Sequence, residues 1–171
     1  MTHVLKWDTV IILPLILLGS AWHYFYTWSR GYPPLALVAP VNESVWEHLK
    51  LVWFPMLLVS LPLLRSHEPR AYLVSRFGGA IVGMLIVVLC FYGYTALTQK
   101  NVLWLDIVIY CLACIAGQVT ARRLLEQGTR HADALIVLGV AITSAFLVFT
   151  FYPPRIFLFE CPVTEKYGAA G

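Results

Sequence analysis

Charge is scarce in this chain: 12 Lys and Arg with 9 Asp and Glu make up 12% of 171 residues, about half the share usual in a soluble domain. A water-soluble globular fold is thereby excluded. The few basic residues are scattered over connecting segments and leave a net charge of only +3, so no basic patch exists to suggest a nucleic-acid partner. Cysteine is also sparse, with four in all, and Cys90, Cys111 and Cys114 fall inside apolar runs, where Cys acts as a small hydrophobe. No disulfide framework or redox compartment can be read from them. A His-Glu-x-x-His pair is absent, as is any pair of histidines at ligand spacing, so no strong metal motif stands in the sequence.

What remains is 60% hydrophobic, with aromatic residues at 14%. A bilayer core about 30 Å thick takes roughly 20 apolar residues per helix, and the apolar runs predict an all-α fold, an integral membrane bundle of five transmembrane helices in one domain over residues 1–171. Spans are expected at about 9–28, 43–64, 71–97, 102–120 and 132–152, followed by an interfacial tail over 153–171. Lys6 before an apolar run and Gly19-Ser20-Ala21 also fit a signal peptide, but apolar character continues through Trp22 to Trp28, which favours a retained span. Pro14, Pro55 and Pro62 are expected to kink their helices. Gly79-x-x-x-Gly83 in the third span lets another backbone approach closely and suggests a homo-oligomer through that helix.

Two spans are too short in their uncharged parts. Leu51 to Leu64 and Ile107 to Val119 each need to draw polar neighbours toward the membrane, Asn42 to Lys50 in one case and Asp106 in the other. Lys and Arg bias sets orientation: Lys6, Arg65, Arg70, Arg76, Arg122, Arg123 and Arg130 on one side outweigh Arg30, Lys100, Arg155 and Lys166 on the other. This predicts a cell-membrane protein with its N-terminus cytoplasmic and C-terminus outside. His23, the Asn42 to Lys50 segment, Tyr92, Tyr94, Asp106 and Tyr152 then share the outer end, and ionisable groups at membrane depth need a partner or a wet cavity.

Glu43 and Glu47, one turn apart, share a helical stripe with Lys50, while His48 points about 100° away. Two carboxylates and an imidazole suit a divalent cation such as zinc, giving His23, Glu43 and Glu47 as metal ligands. His48 and Asp106 are the expected acid–base pair, Asp106 orienting the imidazole. Asn42, Tyr92, Tyr94 and Tyr152 are expected to contact substrate, and the tail to cover the pocket. A purely structural account competes: Ser44-x-x-Glu47 is a capping box, Lys50 can neutralise Glu47, and His48 can cap a carbonyl. Cys111-x-x-Cys114 lies near the bilayer midplane and reads as packing. Asn42-x-Ser44 matches a glycosylation sequon by chance.

The stretch His23-Tyr24-Phe25-Tyr26-Thr27-Trp28-Ser29, the stretch Ala39-Pro40-Val41-Asn42-Glu43-Ser44-Val45-Trp46-Glu47-His48-Leu49-Lys50, and the tail motifs Tyr152-Pro153-Pro154-Arg155-Ile156 and Pro162-Val163-Thr164-x-x-Tyr167-Gly168 resemble an uncharacterised family of small prokaryotic multi-pass membrane proteins. That family tends to carry an acidic residue where Thr27 stands. The resemblance implies the architecture and no activity. Five helices at this length are also similar to the tryptophan-rich sensory proteins, which bind porphyrins and sterols, although that family's motif wording is missing. The leading expectation is a metal-dependent hydrolase or transferase acting on a membrane lipid or lipid-linked substrate. Alternatives are a non-catalytic binding or transport protein for a cation or small amphiphile, and a membrane scaffold.

Overall fold

Seven helices are found among the described residues: α1 (Ile12–Trp22), α2 (Phe25–Trp28), α3 (Pro33–Ala36), α4 (Val45–Leu58), α5 (Pro69–Thr98), α6 (Leu103–Gln127) and α7 (Ala132–Phe149). The structure, a computed structural model, describes residues 10–59, 61, 68–128 and 132–169. Among the described residues there is no β-strand, only an isolated bridge between Glu160 and Tyr167. The start of the first expected span, the Pro62 kink and the loop cations Lys6, Arg65 and Arg130 lie outside the described residues.

The fold is all-helical, as expected, but the span count differs. Among the described residues, three helices are long and apolar enough to cross a membrane: α5 with 30 residues, α6 with 25 and α7 with 18. The first expected span is broken. The amide of Tyr24 bonds the Ala21 carbonyl at 3.1 Å, a tighter turn than the α-helix, and α2 resumes at Phe25. Pro14 is not the cause, because it sits in the first turn of α1, where no intrahelical N–H bond is lost. The second expected span is observed as the 14 residues of α4, about 21 Å, opening after Ser44, which caps it with φ −69° and ψ 152°. Pro55 does lie inside α4.

In a bilayer the lipid is as apolar as the side chains, so helices associate through close packing and interhelical hydrogen bonds. Helix α5 packs on α4, α6 and α7, and α1 packs on α4 and α6. Trp53 and Phe77 stack at 5.5 Å, centring a core that includes Leu15, Val52, Met56, Ala113 and Phe146. The α5–α6 seam is made of small residues. A Cβ on Gly79 would meet the Gly117 carbonyl, and one on Gly83 would come within 3.0 Å of the Ala113 carbonyl. The Gly79-x-x-x-Gly83 face is thus packed against α6 of the same chain.

Hydrogen bonds and an ion pair also fix which helix ends lie together. Lys50 at the start of α4 reaches Thr150 just past α7 at 2.6 Å, and Tyr94 near the end of α5 reaches Asp106 in the first turn of α6 at 2.6 Å. His23 at the end of α1 lies 3.6 Å from Glu43 ahead of α4. These bonds bring the first half of α4 to the ends of α7 and α1, and the end of α5 to the start of α6.

Candidate cation site at one end of the bundle

The site is built on the first turn of α4. The four N–H groups that open a helix lack intrahelical partners, and here the Ser44 hydroxyl takes the Glu47 amide at 3.3 Å while the Asn42 side-chain oxygen takes the Ser44 amide at 2.9 Å. The capping expectation holds for Ser44. Its reciprocal half does not, since the Glu47 carboxylate accepts from the Val41 amide at 3.0 Å instead. Capping at Ser44 leaves Glu43 outside the helix. The expected stripe of Glu43 with Glu47 is therefore corrected, because helical spacing applies only after the cap.

Freed from the helix, Glu43 turns between two imidazoles. One carboxylate oxygen lies 3.6 Å from His23 Nε2 and the other 3.4 Å from His48 Nε2. The two rings are 5.2 Å apart. Among the described residues, His23, Glu43 and His48 each offer a ligand atom within 4.8 Å of the others. The tautomer of His48 follows from its other nitrogen: Nδ1 sits 2.9 Å from the Ser44 carbonyl oxygen, which can only accept, so Nδ1 carries the proton. In the neutral ring Nε2 then holds a lone pair facing a carboxylate oxygen, and a proton or a metal ion between the two acceptors would satisfy both. Such an Nδ1–H to carbonyl bond is the usual support of a metal-ligating histidine. His23 Nδ1 is buried with no hydrogen-bond partner among the described residues. Glu43 is 49% exposed, so the set is open to water on one side.

Glu47 belongs to a different constellation. It is buried, as is Lys50, and their side chains pair at 2.7 Å. The Lys50 ammonium also donates to the Ala36 carbonyl at 2.8 Å, the Ala39 carbonyl at 3.4 Å and the Thr150 hydroxyl at 2.6 Å. An isolated buried charge costs several kcal/mol, whereas here each has a partner and further hydrogen bonds. Glu47 is thus committed to Lys50, as the structural account anticipated, and the convergent set contains His48 in its place.

The other expected site residues scatter. Asp106 accepts from the Tyr94 hydroxyl and is outside the convergent set; the expected Asp106–His48 pair is replaced by Asp106–Tyr94 and His48–Ser44. Asn42 donates to the Gly168 carbonyl at 3.2 Å and so ties the tail down. Tyr92 lines an open groove of about 650 Å³ with Val88, Leu89 and Phe157. Tyr152 is 80% exposed. Cys111 and Cys114 are both free.

Three contributors were missed by sequence reading. Thr150 gave no signal, being a lone hydroxyl at the end of an apolar run. Arg76, counted with the loop cations, is fully buried within α5, where it donates to Gln118 at 2.8 Å and lies over the Tyr72 ring at 4.4 Å. Its place within the expected 71–97 span, five residues past Ala71, was the available clue. Cys161 is buried in the tail, and although burial raises its pKa, hydrogen bonds from the Thr164 hydroxyl and from the Val163, Glu43 and Thr164 amides more than offset this and hold the thiol below its ordinary value.

With this geometry in hand, comparison with known proteins gives one match. Residues 1–169 match the model of a family of unknown function, DUF6512, and the chain belongs to that family. No curated protein and no solved structure matches it.

Proposed function

We propose that this member of the DUF6512 family is a five-span membrane protein that binds a divalent cation, zinc foremost, through His23, Glu43 and His48, and uses it for hydrolysis or group transfer on a lipid or lipid-linked substrate. The observation that carries the reading is the Glu43 carboxylate set between the His23 and His48 imidazoles, with His48 Nδ1 held by the Ser44 carbonyl. Two His and one carboxylate are a ligand set of catalytic zinc sites, which keep a fourth position open. Closing the set to about 3.3 Å between ligand atoms, as a tetrahedral ion needs, asks for side-chain movements on the order of 1 Å. When bound, such an ion polarises a carbonyl or phosphoryl oxygen and eases deprotonation of water. The chain's own part is to fix the His48 tautomer through Ser44 and to leave the Glu43 side open to an incoming headgroup.

In this reading α1 with α2, and α4, complete five crossings as its shorter members. With Arg76 removed from the count, Lys6, Arg65, Arg70, Arg122, Arg123 and Arg130 face Arg30, Lys100, Arg155 and Lys166, which favours a cytoplasmic N-terminus and an outward site.

A transport reading gains one observation, the buried Arg76–Gln118 pair in the half of the bundle away from the site. Against it stands the apolar layer of Trp53, Met56, Phe77 and Phe146 in the core. Purified protein is expected to bind one zinc per chain by elemental analysis. His48→Ala and Glu43→Gln should weaken binding at least tenfold, while Glu47→Gln should leave the ligand set in place. Unchanged zinc affinity in both liganding variants would overturn the reading. The catalytic part is tested by release of a radiolabelled phospholipid headgroup in mixed micelles; release insensitive to chelator and to Glu43→Gln would remove it.

A further inference from the structure

Glu43 differs from the other two ligand candidates in standing on a loop rather than at a helix end, so its placement depends on what holds residues 39–44. From the bundle side, the Lys50 ammonium and Glu47 carboxylate hold the Ala39 carbonyl and the Val41 amide. From the other side the tail does the holding. Past Pro153-Pro154 the chain turns back, and Leu158 accepts the Trp46 amide at 3.0 Å. The sulfur of Cys161 takes the Glu43 amide, and the Gly168 carbonyl takes the Asn42 side chain at 3.2 Å. The tail thus grips residues 42, 43 and 46, on both sides of the carboxylate.

The tail is itself braced. Cys161 donates its amide to Lys166 at 2.9 Å, Glu165 returns one to Cys161 at 2.8 Å, and the Tyr167 hydroxyl bonds the Glu160 carboxylate at 3.0 Å. Its end is pinned where the Ala169 amide meets the Thr150 carbonyl at 2.8 Å. Gly168, at φ +67°, lets the backbone pass within contact of Thr150 and Pro153, a path a side chain would strain.

Given the cation site proposed above, we infer that residues 153–169 form a strap that holds Glu43 in its ligand position, with Asn42 and Cys161 as positioning residues. The expected cover over a pocket is thereby replaced by a fixed support. Outer partners of metal ligands change affinity by about 10- to 100-fold when removed.

The test is titration of the full chain in detergent micelles with cobalt(II), read by visible absorption, beside thermal unfolding. Asn42→Ala and Cys161→Ala are expected to bind cobalt about 10- to 100-fold more weakly, with spectra shifted toward that of Glu43→Gln and with helix content retained. Cys161→Ser, which keeps an acceptor for the Glu43 amide, should restore most of the affinity. Wild-type affinity and spectrum in both alanine variants overturn the positioning role alone. No cobalt binding by the unaltered protein overturns the cation reading, and the positioning role falls with it. Should Cys161→Ala fail to fold, Asn42→Ala decides the matter by the same readout.

Discussion

Replacing Lys50 with methionine is expected to lower stability by about 3–5 kcal/mol, the range for stranding one member of a buried ion pair. The ammonium is fully buried and gathers Glu47, Thr150, Ala36 and Ala39 into one network. Methionine fills a similar volume, so the loss comes from polar groups left without a partner and not from a cavity. Glu47→Gln should cost less, because the ammonium keeps two carbonyls and a hydroxyl, and its amide oxygen can still take the Val41 N–H. The double variant Glu47→Leu with Lys50→Met is expected to recover part of the single-variant loss, since no charge is then buried. It should not recover all of it, because the Val41 amide and the Ala36 and Ala39 carbonyls still lose partners. Thermal unfolding in micelles followed by tryptophan fluorescence measures all three. A Lys50→Met protein that unfolds at the wild-type temperature would show the pair to be dispensable.

A comparable effect is expected at the α5–α6 seam. Gly79→Ala places a methyl group against the Gly117 carbonyl and 2.8 Å from the Ala121 side chain. A backbone carbonyl cannot swing aside as a long side chain can, so the two helices must separate, at about 1–3 kcal/mol for this overpacking. Gly79→Leu should exceed that range. Gly93, on the same helix, has nothing within 4 Å of a built Cβ, so Gly93→Ala should be neutral or gain a few tenths to about 1 kcal/mol from helix propensity. Equal unfolding temperatures for Gly79→Ala and Gly93→Ala would mean that the seam is looser than its geometry indicates.

How much of this was legible beforehand depended on whether the signal was local. Apolar runs and the Ser44 cap are local: the all-helical fold and the cap at Ser44 were read correctly, whereas three helices rather than five are long and apolar enough to span among the described residues. The same cap sets the start of α4, yet Glu43 was kept on the helix one residue before it. That single step exchanged the roles of Glu47 and His48: on the helix, Glu43 and Glu47 look like a pair, and off it, Glu43 faces imidazoles. The Gly79 and Gly83 spacing showed close approach without showing whose backbone approaches, because a partner helix is a long-range fact. Thr150, Cys161 and the Asn42 tie to Gly168 were out of reach for that reason. Arg76 was misplaced because a cation was treated as a loop marker although the apolar pattern ran past it on both sides.

Lys50 meets Thr150 across 100 residues of sequence, and Asn42 meets Gly168 across 126. As the chain is synthesised, α4 is complete long before the segment that closes its polar face exists. Until α7 and the residues beyond it have emerged, Lys50 and Glu47 have only each other and nearby carbonyls. Contacts closing such long loops form late and are entropically demanding. Loss of the final seventeen described residues would remove the Asn42–Gly168 tie while leaving Thr150 and every long helix in the chain.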